Sequence, residues 1–104
     1  MITVQIVEHP DTNLYKLLLK AMRSGDLRTF SAQNRGKKIT HMTYAGWINW
    51  HRDGHVITCL VKNPRNPKVE WQLMHAFLGR LADRYAGYIH SINIQFPDAE
   101  WEEE

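Results

Sequence analysis

The dipeptide Asp53-Gly54 separates two segments, 47–52 and 55–61, in which apolar residues alternate with others. This arrangement is the strongest short-range signal for a β-hairpin, because Asp-Gly fits the tight turn that matches the twist of paired strands. A two-residue loop also fixes the register, and the expected pairs are Arg52 with His55, His51 with Val56, Trp50 with Ile57, Asn49 with Thr58, Ile48 with Cys59 and Trp47 with Leu60. The chain is therefore expected to contain an antiparallel sheet.

Alternation along this hairpin separates its side chains into two faces. The face expected to meet the helices is apolar throughout and consists of Ile48, Trp50, Ile57, Cys59 and Val61. The other face mixes polar and aromatic side chains, namely Trp47, Asn49, His51, Val56, Thr58 and Leu60. We expect this second face to be open to solvent or to a partner.

The rest of the chain shows the patterns of strands and helices. Apolar patterning predicts strands over 2–6, 38–44 and 92–96, and spacings of three or four predict helices over 14–22 and 67–86. The segment 27–33 is a weak strand, and the element order is taken as β-α-β-β-β-α-β. Two helices are too few to cover both faces of a five-stranded sheet, so they should share one face.

The predicted fold is therefore α+β, a two-layer sandwich with a mainly antiparallel sheet and both helices on one face. The last strand follows the long helix, so it can lie parallel to a neighbour through a right-handed crossover. Residues 1–97 are predicted to form a single α+β domain, and residues 98–104 an acidic tail. Trp101 in that tail is a candidate for exposure to a partner.

Charge is distributed unevenly between these two parts. Residues 1–97 carry thirteen positive and six negative side chains, whereas the tail carries five acids. A basic body of this kind attracts nucleic acid or an acidic protein. No apolar run approaches the roughly 20 residues of a membrane helix. The N-terminus lacks the pattern of a signal peptide, so a cytoplasmic protein without a membrane partner is expected.

The extent of the open face depends on the dipeptide Ala45-Gly46. If this dipeptide is a two-residue turn, the residues added to the open face are Thr40, Met42 and Tyr44. If it is a bulge, the register of 38–44 flips, and His41 lies beside His51 instead.

The first functional hypothesis is a small binding or regulatory protein without enzymatic activity. Exposed aromatic and amide side chains are typical of interfaces. The candidate partner-binding residues on the open face are Tyr44, Trp47, Asn49 and His51. The partner would be another protein or a second copy of the chain, and no cofactor is expected.

The second hypothesis is binding of RNA or single-stranded DNA. Basic loop residues beside exposed aromatic rings hold phosphates while bases stack on the rings. The candidate nucleic-acid-binding residues are Arg28, Arg35, Lys37, Lys38 and Arg52.

The third hypothesis is a nuclease that uses a histidine pair as acid and base, which requires the bulged register with His41 beside His51. The six histidines show no spacing typical of a metal site, so no metal is expected. The single cysteine, Cys59, excludes an internal disulfide and is expected to be a small buried residue.

Overall fold

The computed structural model of the protein describes residues 1–97. The predicted acidic tail and Trp101 lie outside these residues, so the division of the chain at residue 97 stays a prediction. The elements in chain order are β1 (Ile2–Glu8), α1 (Leu14–Ser24), β2 (Phe30–Gln33), β3 (Lys38–His41), β4 (Trp47–Asp53), β5 (Val56–Lys62), a 3-10 turn (Pro67–Val69), α2 (Glu70–Tyr85), a second 3-10 turn (Ala86–Tyr88) and β6 (Ile89–Gln95).

The six strands form one open sheet in the order β2-β3-β4-β5-β1-β6, and every neighbouring pair is antiparallel. This confirms the α+β class and the mainly antiparallel sheet. Four strands rather than three separate the helices, because the weak segment 27–33 contributes β2. The expected parallel crossover is wrong. Ile89 pairs with Glu8, so β6 begins where β1 ends and must run in the opposite direction.

The central hairpin turns one residue later than predicted. Its loop is Gly54 and His55, with Gly54 at a φ of 63°, and Trp50 therefore pairs with Cys59 rather than with Ile57. Glycine at the first loop position suits a two-residue hairpin turn. Because every pair is displaced by two residues, each side chain keeps its predicted face. The predicted inner residues Ile48, Trp50, Ile57, Cys59 and Val61 are all buried.

Both helices pack on this apolar face. Asn13 caps α1 by accepting a hydrogen bond from the Lys16 amide at 3.0 Å, and Gly25 ends it at a φ of 89°. The buried helix residues are Leu14, Leu18, Ala21 and Met22 from α1 and Leu73, Phe77 and Leu81 from α2. Neither helix of the described residues is long and apolar enough to cross a membrane.

A buried ion pair joins β1, β4 and the start of α1. Glu8 is 2% exposed, and its Oε1 accepts a hydrogen bond from Arg52 Nε at 2.9 Å. Its Oε2 accepts the Tyr15 amide at 3.0 Å, while Arg52 Nη2 donates to the Thr12 carbonyl at 3.1 Å. Burial acts to raise the pKa of Glu8, but the hydrogen bonds from Arg52 and Tyr15 outweigh it, so the pKa is lowered.

A second buried carboxylate, Glu70, begins α2. Its Oε2 accepts the Asn63 amide at 2.9 Å, and its Oε1 lies 2.8 Å from the ammonium group of Met1. The N-terminal amine and the end of β5 are thereby fixed to the same helix turn.

Replacing Arg52 tests the buried pair, because Arg52→Met leaves the Glu8 carboxylate buried without its cation. We expect a loss of about 3 kcal/mol in the free energy of unfolding at neutral pH. In the wild type the lowered pKa stabilises the fold above the ordinary carboxyl pKa of 4.5, and that contribution is lost as pH falls. Without Arg52, burial is the largest remaining influence on Glu8, and burial favours the neutral carboxyl.

The deficit of Arg52→Met should therefore shrink as the solution is acidified toward pH 4.5, where the uncompensated carboxyl takes up a proton. Urea denaturation across this pH range measures the deficit. Arg65→Met, at an exposed position, is the control for the loss of one positive charge. A deficit that stays constant with pH would contradict the role given to Glu8.

Cys59 provides a second check of the core. Burial raises the pKa of its thiol to about 12, so the reactive thiolate is scarce in the folded protein. We expect a thiol reagent at neutral pH to label the protein only at the rate of unfolding, and to label it rapidly in denaturant. Rapid labelling of the native protein would show that β5 is not covered by the helices as described.

Candidate functional site

The face of the sheet opposite the helices is covered by no element within residues 1–97. Strand alternation and the observed registers place on it Thr3, Gln5, Val7, Ser31, Gln33, Lys38, Thr40, Trp47, Asn49, His51, Asp53, Val56, Thr58, Leu60, Lys62, Ser91, Asn93 and Gln95. Most are amides, hydroxyls or cations. Asp53, at the far end of β4, is the only carboxylate on this face among the described residues. We call this surface the open face.

The β2–β3 turn, residues 34–37, is held rigidly at one end of the open face. Its backbone is left-handed at Asn34, Arg35 and Gly36, with φ of 53°, 58° and 86°. Trp50 Nε1 donates a 2.6 Å hydrogen bond to the Gly36 carbonyl from inside the core. A Cβ on Gly36 would lie 2.9 Å from Leu19 Cδ1 of α1. Strained, over-determined turns of this kind are frequent at functional sites.

Trp47 is the first residue of β4, and its side chain lies on the open face. The Lys38 ammonium lies over its ring, 4.6 Å from the centroid, and the indole Nε1 donates to Asn49 Oδ1 at 2.9 Å. Lys62 is its cross-strand partner on β5. The ring is thus flanked by a lysine on each neighbouring strand.

Two cations of this region, Lys38 of β3 and Lys62 of β5, lie on the open face on either side of Trp47. The rigid turn adds Arg35 and Lys37 at the edge of the sheet, where Lys37 lines one cavity with Asn49 and His51. We call these four residues the cationic track. Since Asp53 lies at the hairpin end, away from Trp47, the track carries uncompensated positive charge. Such a group of cations attracts an extended anion.

A cavity of about 540 Å³ opens beside the track, where β4 continues past the first residue of β3. Its lining residues are Tyr15, Asn34, Lys37, Asn49, Trp50, His51, Arg52 and Leu60. The lining of this cavity contains no carboxylate. The cavity connects Lys37 of the track with His51.

Of the four predicted partner-binding residues, three lie together on the open face and one does not. Trp47, Asn49 and His51 share β4, but Tyr44 lies in the loop 42–46 and stacks on His41 at 5.0 Å. Neither alternative for Ala45-Gly46 is correct. His41 Nδ1 accepts the amides of residues 43 and 44, which turns the chain out of the ladder after β3.

Gly46 explains why the loop is longer than either alternative. Its φ is 96°, and a Cβ there would lie 2.3 Å from the Lys62 carbonyl. The chain passes directly over the end of β5 before β4 begins. A two-residue turn could not make this detour, so β3 stops at His41 and Tyr44 stacks on His41 instead of lying on the open face. Met42 still donates its amide to the Thr29 carbonyl at 2.9 Å, and its side chain is 75% exposed.

The predicted nucleic-acid-binding residues divide into two groups. Arg35, Lys37 and Lys38 lie together in the cationic track. Arg52 is paired with the buried Glu8, and Arg28 lies at the other end of β2 beside Arg80 and Arg84. The prediction could not separate these roles, because both groups are basic residues near turns.

His41 and His51 are not brought together. His41 lies on the helix side, where its ring meets Phe30 at 4.7 Å, and His51 lies on the open face. Burial, and secondarily the charge of Arg80, lowers the pKa of His41. The pair that the nuclease hypothesis requires is therefore not formed. In the described part of the chain, no three His, Cys, Asp or Glu side chains converge as metal ligands.

Lys62 is the residue of the track that sequence reasoning missed. Its position in an alternating strand places it on the same face as Thr58 and Leu60. The alternation of β5 extended by one residue would have found it.

Comparison of the chain with known protein families, curated proteins and solved structures gives no match.

The packing of the rigid turn on α1 is tested by comparing Gly36→Ala with Gly54→Ala. Both glycines have positive φ, and alanine there costs about 1 kcal/mol. Only Gly36 also meets Leu19, which should add roughly 1 kcal/mol of overpacking. We expect the larger loss of stability for Gly36→Ala in chemical denaturation. Equal losses would mean that the turn does not depend on its contact with α1.

Proposed function

We propose that the protein binds single-stranded nucleic acid on the open face, without catalysing a reaction. The observation that carries the proposal is the cationic track, in which Lys38 and Lys62 flank the Trp47 ring on the open face and the rigid turn adds Arg35 and Lys37 at its edge. A positive groove that follows the phosphates, with a ring for the bases, is the common design of single-strand binders.

The distribution of charge over the described residues supports this ligand class. Of the six acids in residues 1–97, Glu8 and Glu70 are buried and paired within the fold. Among the thirteen cations, only Arg52 is used by such a buried pair. Outside these buried pairs, twelve positive side chains and four carboxylates remain, so the electrostatic potential of the surface favours binding of a polyanion.

The open face offers complementary contacts for an extended chain. Arg35, Lys37 and Lys38 would hold phosphates as the strand leaves the rigid turn, and Lys62 would hold one beyond Trp47. A base stacking on Trp47 displaces the Lys38 ammonium, which then remains available to the adjacent phosphate. The amide and hydroxyl groups around the ring can hydrogen-bond to base edges.

A protein partner on this same face is supported less well. With Tyr44 in the loop, Trp47 is the only aromatic ring on the open face among residues 1–97, and it is half-buried. Protein interfaces concentrate apolar and aromatic side chains at their centre.

The proposal includes a cytoplasmic location, where single-stranded RNA is present.

The test is fluorescence anisotropy with a labelled single-stranded oligonucleotide, as RNA and as DNA. Four phosphate contacts on a single strand give a slope of about −3 in log affinity against log salt. Affinity should therefore fall roughly 50-fold between about 50 and 200 mM salt. The triple variant Arg35→Ala, Lys37→Ala, Lys38→Ala should bind at least about 10-fold more weakly and with a shallower slope.

The control is a triple alanine variant at Lys16, Lys20 and Arg65, which removes the same charge from exposed positions outside the track. It should change affinity by no more than roughly 2-fold. Absence of binding at low salt, or equal losses in the two triple variants, would exclude the open face as the binding surface.

A further inference from the structure

β6 forms an outer edge of the sheet, since β1 is its only neighbour in the strand order. Its seven residues, Ile89–Gln95, include no Lys, Arg, Asp, Glu, Pro or Gly. Natural edge strands are usually protected by charges, proline, bulges or short length. The single register shift of β6, opposite Val7 and Glu8, lies at its beginning and leaves the rest of the edge regular.

One face of β6 is apolar but not covered. Ile92 and Ile94 pair with Ile6 and Val4 of β1, so their side chains are on the helix-bearing side of the sheet. The described helices do not reach over them, and Ile92, Ile94 and Phe96 are 36%, 37% and 62% exposed. We call these three residues the β6 strip.

Apolar surface continues beyond both ends of the β6 strip. Trp71 of α2 is 49% exposed and lines an apolar cavity with Phe96 and Pro67. Tyr88, also partly exposed, precedes β6 at its other end. The exposed parts of these three rings amount to on the order of 300 Å². With the two exposed isoleucines between them, these rings give the β6 edge apolar surface of the kind found at interaction sites.

The opposite edge of the sheet is protected in the usual ways. β2 has only four residues, and Arg28 and Arg35 lie on either side of it. Its outermost open-face residues, Ser31 and Gln33, are polar. The unprotected edge is therefore specific to β6.

We propose that two copies of the chain associate through antiparallel pairing of β6 with β6. The partner of this edge must itself offer a free, uncharged strand with an apolar face, and the β6 of a second copy has these properties. Such a contact is isologous and closes after two subunits. It joins two six-stranded sheets into one continuous sheet with all four helices on the same side.

Side-chain complementarity fixes the register of this contact. Directly opposed residues of antiparallel strands point to the same face. Pairing centred on Asn93 sets Ile92 against Ile94 of the second copy, and His90 against Phe96. A shift by one residue would set each isoleucine against a polar residue. A shift by two residues keeps the face but sets one of the two isoleucines against His90 or Phe96. We therefore expect the centred register, in which both isoleucines face an isoleucine.

The size of the contact indicates a dimer of moderate affinity. A standard stable interface buries about 800 Å² on each partner, and the exposed aromatic and isoleucine side chains supply a large part of that. Sedimentation velocity on the full chain should show monomer converting to dimer as concentration rises through the micromolar range.

The disruptive variant is Ile94→Lys, which would place an ammonium group against the isoleucines of the second copy. It should raise the dimer dissociation constant by about 10-fold or more. Ser31→Lys, on the opposite edge strand, is the matched control and should leave that constant unchanged. Equal effects of the two variants would overturn the proposal.

A gain-of-contact variant keeps the test decisive if Ile94→Lys does not fold. In the centred register Asn93 faces Asn93 of the second copy, so Asn93→Cys should form an intermolecular disulfide on mild oxidation. Gln5→Cys, on the neighbouring strand and the same face, should not. Cys59 does not interfere, because it is buried.

Two outcomes would overturn self-association. One is a wild-type chain that stays monomeric at all concentrations with no crosslink from Asn93→Cys. The other is a wild-type chain that stays monomeric while its Trp101→Ala variant dimerises, which would mean that the chain's own tail occupies the edge.

Discussion

The hydrogen bonds of the Glu8 carboxylate connect the buried core to the open face. Its two oxygens hold Arg52 of β4 and the Tyr15 amide of α1. The Tyr15 ring then packs on Trp50, with centroids 4.2 Å apart, and the Trp50 indole holds the Gly36 carbonyl. A continuous series of contacts thus leads from a buried ion pair to the turn that presents Arg35 and Lys37. Removing one member would leave a charge or a polar group uncompensated in the core.

This connection makes the positive surface a rigid one. The cations of the track project from strands and from a turn anchored on both sides, rather than from a long loop. Binding energy is then not spent on ordering the protein. The same sheet also separates two surfaces with different chemistry: amides, hydroxyls and cations on the open face, and the uncharged apolar β6 strip on the helix-bearing side. Each can be altered without changing the other.

The sequence predicted which face of the sheet each side chain occupies more accurately than it predicted which residues pair across the strands. Alternation assigned every inner residue of the central hairpin correctly even though the turn was placed wrongly, because a shift of two residues preserves the face. It could not reveal that β6 would be uncovered, since alternation records which side a residue faces and not what lies above it. The positions of Tyr44 and Arg52 could not be predicted from alternation either. The Tyr44 amide is held by the His41 side chain, and Arg52 is paired with a carboxylate 44 residues away.

The ammonium group of Met1 has a consequence for how the protein is handled and modified. Glu70 Oε1 is buried and has only this amine as its partner within residues 1–97. Acetylation of the amine would remove the charge, and an affinity tag fused before Met1 would convert it into an amide. Either change would leave a carboxylate oxygen in the core facing a neutral group, and the first turn of α2 would be weakened.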